Sequence, residues 1–509
     1  MINTELPEDI LAQILGQLPY KDVCSCRLAC RLFNILVKET PSIQYNSELD
    51  RAGLVDGGST LDLSLLDRLK ELRVVQKNWA TLNFRGRYRF SQPPRSFAWE
   101  LAGGILAYSH RSYVGDSIRN GFTFIRLRST AQDFRERIWK HEDIGLTNLI
   151  DFTDPAQDLI VLIAIAWPTR KTAVHFLSIN TGQPHPQAQQ PTVYCEPEGG
   201  TRALVIRVLG GFVGILFGSG IGGNQLFIWN WKSGILVSFL EFPERMVFRS
   251  FGFLTKHHFI IPAYDLEQPA KTSSLKVYDF SQPVNTQLEP ALYRTFQLPL
   301  LSPDFDISDM IIRCCPLPEE NISKLMPPGY PFYTPPSSWI VSISLQIAGD
   351  LGRYGLMLFF FPSIILSDEY SCQESVEWES WGPKGTRILP IDWLEETWIK
   401  YTYGTRFATI ERREERIYVY DFNPKTIYPK PTESSITNDD GDDVERMLQE
   451  LVGEEVHIFA NPVNTTLPFN LWKSKDSEKY AYSSIMIDEN CLIGLGENMP
   501  IFDGCHVLS

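Results

Sequence analysis

The spacing of apolar residues changes along the chain. Leu6, Ile10, Leu11, Ile14, Leu15 and Leu18 recur at three- and four-residue steps, which places them on one broad apolar face of an α-helix. Pro7 suits the first helical position, where its missing N–H is an orphan in any case, and Glu8 and Asp9 put negative charge at the positive end of the helix dipole. From Thr40-Pro41 to about residue 60 the chain reads as a polar, glycine-containing connector ending in Gly57-Gly58-Ser59. A second helical pattern follows. Leu65, Leu69, Leu72, Val75 and Trp79 share one face, Arg68, Lys70, Glu71, Arg73 and Lys77 lie elsewhere, and Ser64 three residues before Asp67 gives a capping-box-like start. This predicts a half-buried helix serving as a semi-rigid arm.

Beyond residue 80 the helical period gives way to short β-runs separated by turn signals. Residues 203–209, 212–217, 225–231 and 235–240, with Gly210-Gly211 and Lys232-Ser233-Gly234 between them, predict four consecutive antiparallel strands. Residues 247–254, 258–264, 274–280 and 292–298 predict a second such set, and 121–128, 173–179 and 416–422 each predict the third strand of a similar unit. Four-stranded units in series indicate an all-β domain over 81–509, most simply a seven-bladed β-propeller, with eight blades or paired β-sandwiches as alternatives. The expected units start near residues 97, 146, 202, 246, 305, 386 and 480, and a strand from about Leu82 to Phe90 would complete the last one and close the ring without a free edge. The Trp-Asp and Gly-His signatures of regular repeats are missing, so the propeller would be divergent.

The N-terminal helical segment is too short to bury its own apolar face, because modules below about 40 residues usually need a disulfide, a metal or a partner. The string Leu6-Pro7-Glu8-Asp9-Ile10-Leu11, then Leu18-Pro19, Asp22-Val23 and Cys26-Arg27-Leu28-Ala29-Cys30-Arg31-Leu32-Phe33, resembles an F-box. The family often has Val where Ala29 stands and Trp where Phe33 stands; both positions stay apolar but lose volume. The resemblance covers about residues 5–45, which makes 1–45 an F-box helical module and leaves 46–80 as linker and connecting helix. It implies docking to a Skp-type adaptor, and through it to a cullin, by Leu6, Pro7, Ile10, Leu11, Ile14, Leu15, Leu18, Pro19, Val23, Cys26, Cys30 and Phe33. The chain would then be a non-catalytic substrate receptor of an SCF-type ubiquitin ligase, capturing a protein substrate through propeller loops. An F-box scaffold without ubiquitin transfer, or a propeller hydrolase or lectin, are the rival expectations.

Composition narrows the partners. The net charge of −14 argues against nucleic acid, since phosphate-backbone binding depends on clustered Lys and Arg. The longest apolar runs, 159–167 and 356–361, are too short to span a bilayer, and acidic residues stand where a secretory signal would be basic, so no membrane partner and an intracellular location, cytoplasm or nucleus, are expected. Nine cysteines, scattered and odd in number, imply no disulfide framework. Cys24, Cys26 and Cys30 lack a fourth ligand at turn-compatible spacing, so no metal is expected.

Enzyme motifs are weak. Gly218-Ser219-Gly220-Ile221-Gly222-Gly223 satisfies the dinucleotide-binding glycine pattern, but a strand follows it where the pyrophosphate would need a helix N-terminus. His257 and His258, adjacent on a strand, point to opposite faces and cannot easily share an ion. No catalytic residue and no cofactor is expected. The acidic segment near 433–455 is expected to be a solvated insertion. Long loops at 265–273, 316–338, 367–385 and 424–455 are the candidates for substrate capture.

Overall fold

The computed structural model describes the chain from Leu6 to Val507 apart from short stretches, the longer of them 58–62, 128–136, 145–149, 166–170, 315–330, 392–400, 427–441 and 444–456. Five helices come first: α1 (Glu8–Leu15), α2 (Tyr20–Ala29), α3 (Arg31–Glu39), α4 (Pro41–Ala52) and α5 (Leu65–Thr81). The connector expected after Thr40 is therefore largely helical. Pro41 occupies the first turn of α4, where it is pre-shaped for a helix, and Gly53 ends the helix in the left-handed conformation that favours glycine. Pro7, in contrast, stands just outside α1 as its N-cap; its carbonyl accepts hydrogen bonds from Ile10 N and Leu11 N at 3.1 Å. Pro19 does the same for α2, accepting from Asp22 N and Val23 N at 3.0 Å.

The β region is a ring of antiparallel sheets met in chain order. Their residue ranges are 96–141, 150–195, 202–241, 246–297, 305–391 and 402–473, and a last one combines 482–507 with the strand Gly86–Ser91. Six are regular four-stranded blades. The one beginning at Met246 departs from the seven equivalent units expected: its first strand is split into Met246–Val247 and Gly252–Phe253, both paired with His258–Asp265, and a further strand is added at its outer edge. The third strands expected from the sequence occupy third position in their sheets, as Ser117–Arg126, Thr172–Ser178 and Arg416–Asp421. The start expected near 386 is corrected: Thr386–Ile391 is the last strand of the fifth sheet, separated from its neighbour by a long insertion, and the sixth sheet starts at Thr402.

First strands of successive sheets contact one another, so they line the centre of the ring. Closure uses both ends of the β region. Gly86–Ser91 pairs antiparallel with Ile501–Val507, Gly86 opposite Val507 and Ser91 opposite Ile501, which removes a free edge. The closing strand begins at Gly86 and not at Leu82, which is the left-handed cap of α5. Across the seam, Gly104 N donates to Asp488 Oδ2 at 2.7 Å, and Leu101, Leu106 and Tyr108 share a core with Met486, Cys491 and Ile493.

Candidate functional site

The broad apolar face of the first helix divides in two. Leu11 and Leu15 turn inward and meet Val23, Leu36, Val37 and Ile43, with Leu18, Cys26, Leu32 and Phe33 packed partly buried against them. Leu6, Ile10 and Ile14 turn outward and remain 50, 40 and 48 % exposed. Ile10 and Ile14, four residues apart, lie along one side of α1, and Leu6 stands just before it. Pro7 and Pro19 are exposed too, and Cys30 is half-buried as the extended N-cap of α3. Of the twelve residues singled out in the sequence, Leu11, Leu15 and Val23 thus form the module's own core, and Leu6, Pro7, Ile10, Ile14 and Pro19 form its surface. Leu28 and Ile35 are exposed apolar residues that the sequence reading passed over; following the helical period through α2 and α3 would have found them.

Behind this module, α4 and α5 are built into the ring. Tyr45, Leu49, Ala52, Leu54, Leu69, Leu72, Val75 and Trp79 share one core with Ala408, Ile410, Ile417 and Val419 of the sixth sheet and with Tyr482, Ile485, Ile487 and Leu492 of the last. Trp79 and Leu72 are 0 % exposed. The semi-rigid arm expected from the sequence is thus a fixed part of the propeller wall. A short strand, Val55–Asp56, pairs with Phe332–Tyr333 from the fifth sheet's insertion, and Gly57 N donates to Pro331 O at 2.9 Å. Asp56 accepts both an Arg68 Nη1 contact at 3.0 Å and the Tyr45 hydroxyl at 3.2 Å. Burial, with Asp56 beside it, holds the Tyr45 hydroxyl well above the ordinary tyrosine range.

Asp50 joins three parts of the molecule. Its Oδ2 accepts from Tyr20 N of α2 at 2.8 Å, and its Oδ1 meets Lys425 Nζ of the ring at 2.5 Å. One residue on, Arg51 lies over the Tyr20 ring at 5.6 Å, and its carbonyl accepts from Asn423 Nδ2 at 3.2 Å. Burial would raise the Asp50 carboxyl, but the hydrogen bonds from Lys425 and Tyr20 outweigh it and hold it below the ordinary value. These partners lie 30 and 375 residues away in the chain, so no local spacing announces them.

Sheet order assigns the long loops to ends of the ring. Successive strands are antiparallel, so the connections between first and second and between third and fourth strands emerge at one end of every sheet. The strand ends at Cys314 and Val341, at Phe360 and Thr386, and at Asp421 and Asn470 are at that end, whereas those at Asp265 and Ser274 are at the other. Described parts of three of the four loops are engaged internally, the one at 424–455 through Lys425 and Asp442–Asp443. Residues 361–385 form α6 (Pro362–Ile365), the strand Ser375–Val376 and α7 (Trp378–Gly385), and they fold onto the fourth sheet, where Thr295 faces Ser375 in parallel pairing and Trp378 and Trp381 are buried. Residues 331–335 hold the linker, Thr334 also donating to Glu489 Oε1 at 2.7 Å. Asp442–Asp443 of the acidic segment pairs with Asn464–Thr465, and the rest of that segment from 444 to 455 lies outside the described residues.

Among the described residues no group of three His, Cys, Asp or Glu could hold a metal, and no helix is long and apolar enough to cross a membrane. The glycine cluster at 219–222 lies outside the described residues, but Phe212–Gly218 and Gln225–Asn230 on either side pair as an antiparallel hairpin with no helix between glycines and strand. His258 is hydrogen-bonded to Thr255 and lies edge-on to Tyr293.

Residues 4–44 match the F-box domain. No curated protein matches the chain. Similar solved structures include the β-propeller domain of the trilobed protease from Pyrococcus furiosus, at 9 % identity and a TM-score of 0.29 over 65 % of this chain and 90 % of that one. Hydrazine synthase from Kuenenia stuttgartiensis follows at 10 % identity and 0.39 over 81 and 97 %, and an uncharacterized protein from Listeria monocytogenes at 11 % and 0.28 over 69 and 100 %. Similarities this low carry no argument about this chain, whose fold rests on its own sheet order. The chain thus carries an F-box domain at residues 4–44, followed by a propeller-like ring of sheets.

Proposed function

We propose that the chain is the substrate receptor of an SCF-type ubiquitin ligase, docking to a Skp-type adaptor, and through it to a cullin, by the outward stripe of its F-box. The observation that carries this is the exposure of Leu6, Ile10 and Ile14 beside a module core that is already complete without them. Covering each such side chain stabilises a complex by roughly 1.5–3 kcal/mol when burial is full, so the stripe with Pro7 and Pro19 supplies the centre of an interface. Leu11, Leu15 and Val23 act one step back, by holding α1 and α2 in place. Cys26, Cys30, Leu18 and Phe33, half-buried, stand between the two sets.

The ring captures a protein substrate and contributes no catalytic residue to ubiquitin transfer; the work of this chain is to hold its ligand at a fixed place relative to the adaptor. The shared core of α4, α5 and the last two sheets supports that reading, because it packs the helix that follows the F-box directly against the ring. Its place of action is intracellular, where adaptor and cullin are found. Ile10→Asp tests the docking: it should abolish co-purification of adaptor and cullin, because covering the new carboxylate without a partner is costly, and leave the circular dichroism of the chain unchanged. Undiminished co-purification would refute the assignment.

A further inference from the structure

Arg207 and Arg313 lie near the ends of the first strands of the third and fifth sheets, Arg202–Leu209 and Phe305–Cys314. The first strand of the fourth sheet stands between these two in the wall, so their guanidiniums can act on each other only across the centre of the ring. They do so. Burial brings the Arg313 guanidinium down to about 10 and Arg207 pushes it the same way, whereas Tyr401, Cys314 and Glu100 hold it up. Glu100 comes from the first sheet, near the end of its first strand, and Tyr401 stands just before the first strand of the sixth. Side chains from non-neighbouring sheets therefore meet at the axis, at the end of the ring where first strands turn into second. Both arginines are half-buried, open to the channel between the sheets.

A guanidinium presents a fork of N–H donors. The side chain of Arg313 uses one of them among the described residues, Nη1 donating to Ile312 O of its own strand at 3.2 Å. Arg207 Nη1 likewise turns back to Ile206 O at 2.9 Å. The carboxylates Glu100 and Asp309 act on Arg313, and both are held elsewhere: Glu100 Oε2 accepts from Thr153 N at 2.9 Å, and Asp309 lies 3.5 Å from Arg249 Nη1 while accepting from Met310 N at 2.8 Å. These three arginines and two carboxylates keep one positive charge over, in an enclosed setting where an uncompensated charge is costly.

We infer that the axial channel binds a small monocarboxylate, its two oxygens on the guanidiniums of Arg313 and Arg207. The planar fork of a guanidinium matches a planar carboxylate and takes it bidentately, and a single negative charge balances the surplus. Occupancy ties the third sheet to the fifth across the ring. The site requires neither adaptor nor protein substrate, so it stands apart from the receptor reading.

The test is calorimetric titration of the full-length protein with sodium formate, acetate and propionate at constant ionic strength, beside sodium chloride and sodium sulfate. At least one carboxylate should bind saturably, about tenfold tighter than chloride or sulfate, and raise the melting temperature. Arg313→Lys keeps the charge and removes the fork, and should weaken that binding about tenfold. Glu100→Gln keeps an acceptor for Thr153 N and removes a competing negative charge, so it should tighten the binding, a gain that a merely structural role for these side chains would not produce. Absence of saturable binding, equal binding of chloride or sulfate, affinity unmoved by Arg313→Lys, or affinity unchanged or lowered by Glu100→Gln would each overturn the inference.

Discussion

Helices α1 and α5 carry the same kind of apolar pattern and put it to opposite use. In α5 the residues Leu69, Leu72, Val75 and Trp79 are all buried against the last two sheets of the ring. In α1 only Leu11 and Leu15 are buried, and Ile10 and Ile14 one position earlier face outward. The difference lies in what each helix has beside it. A module of four short helices has room for one apolar stripe of α1, and the second stripe stays exposed; the wall of a propeller buries Leu69, Leu72, Val75 and Trp79 of α5. Periodicity tells which residues share a face, and only the tertiary neighbours tell whether that face belongs to the fold or to a partner.

The strongest way to break the comparison is to remove the wall. Deleting residues 480–509 takes away three strands of the last sheet, leaves Gly86–Ser91 without its partner and uncovers the α5 face. The expected outcome is loss of cooperative melting and aggregation, since the two neighbouring sheets lose the face they pack against and Gly86–Ser91 is left an unpaired strand; a monomeric truncated protein with a sharp melting transition would contradict closure. Next in size is the choice of starting residue. A chain beginning at Thr40 keeps α4 and should fold, whereas one beginning at Leu65 loses Tyr45, Leu49 and Leu54 from the shared core, a deficit of about 5 kcal/mol or more at 1.5–3 kcal/mol for each large side chain. Comparing the two in urea unfolding measures how far the ring extends into the helical segment. Smaller again is the pair Trp79→Ala and Ile14→Ala. The first should cost about 3–5 kcal/mol of stability as a core truncation, and the second should stay within about 0.5 kcal/mol, as exposed positions do, while weakening adaptor binding.

Local patterns announced what was local. The F-box string, the α5 face, the third strands and the glycine turns between Arg202–Leu209 and Ile235–Glu241 were all legible because each is fixed by residues a few positions apart. α4 escaped notice although Thr40-Pro41 is a helix start: its buried residues include Tyr45, Ser47 and Leu49 beside many polar ones, a weak stripe made apolar enough by the ring it rests on. The strand Thr386–Ile391 read as the opening of a new unit because the insertion before it is long and folds onto the neighbouring sheet. The candidate site was half legible for the same reason. Sequence put the apolar residues of the first helix on one face, and could not divide them into Leu11 and Leu15 inside and Ile10 and Ile14 outside, because i and i+1 positions on a broad face are separated only by what packs against it.

The finest test concerns the joint itself. The Asp50 carboxylate accepts from Tyr20 N and Lys425 Nζ, and its hydrogen bonds hold it below its ordinary value of 3.8. For a carboxyl depressed in the folded state, the stabilisation is present above the unfolded value and is lost as pH falls through the folded one. Attachment of α2 to the ring should therefore be constant from neutral pH down to about 4 and loosen only below it, with no change across the physiological range. Hydrogen exchange at the Tyr20 amide reads this directly: protection should fall below pH 4 in the natural protein. In Asp50→Asn it should be lower already at pH 7 and show no such step, because the charged partner of Lys425 is gone while the neutral amide oxygen still accepts weakly from Tyr20. A Tyr20 amide whose protection is the same in both proteins at every pH would show that α2 is held by the shared apolar core alone, and that the junction's rigidity owes nothing to this ion pair.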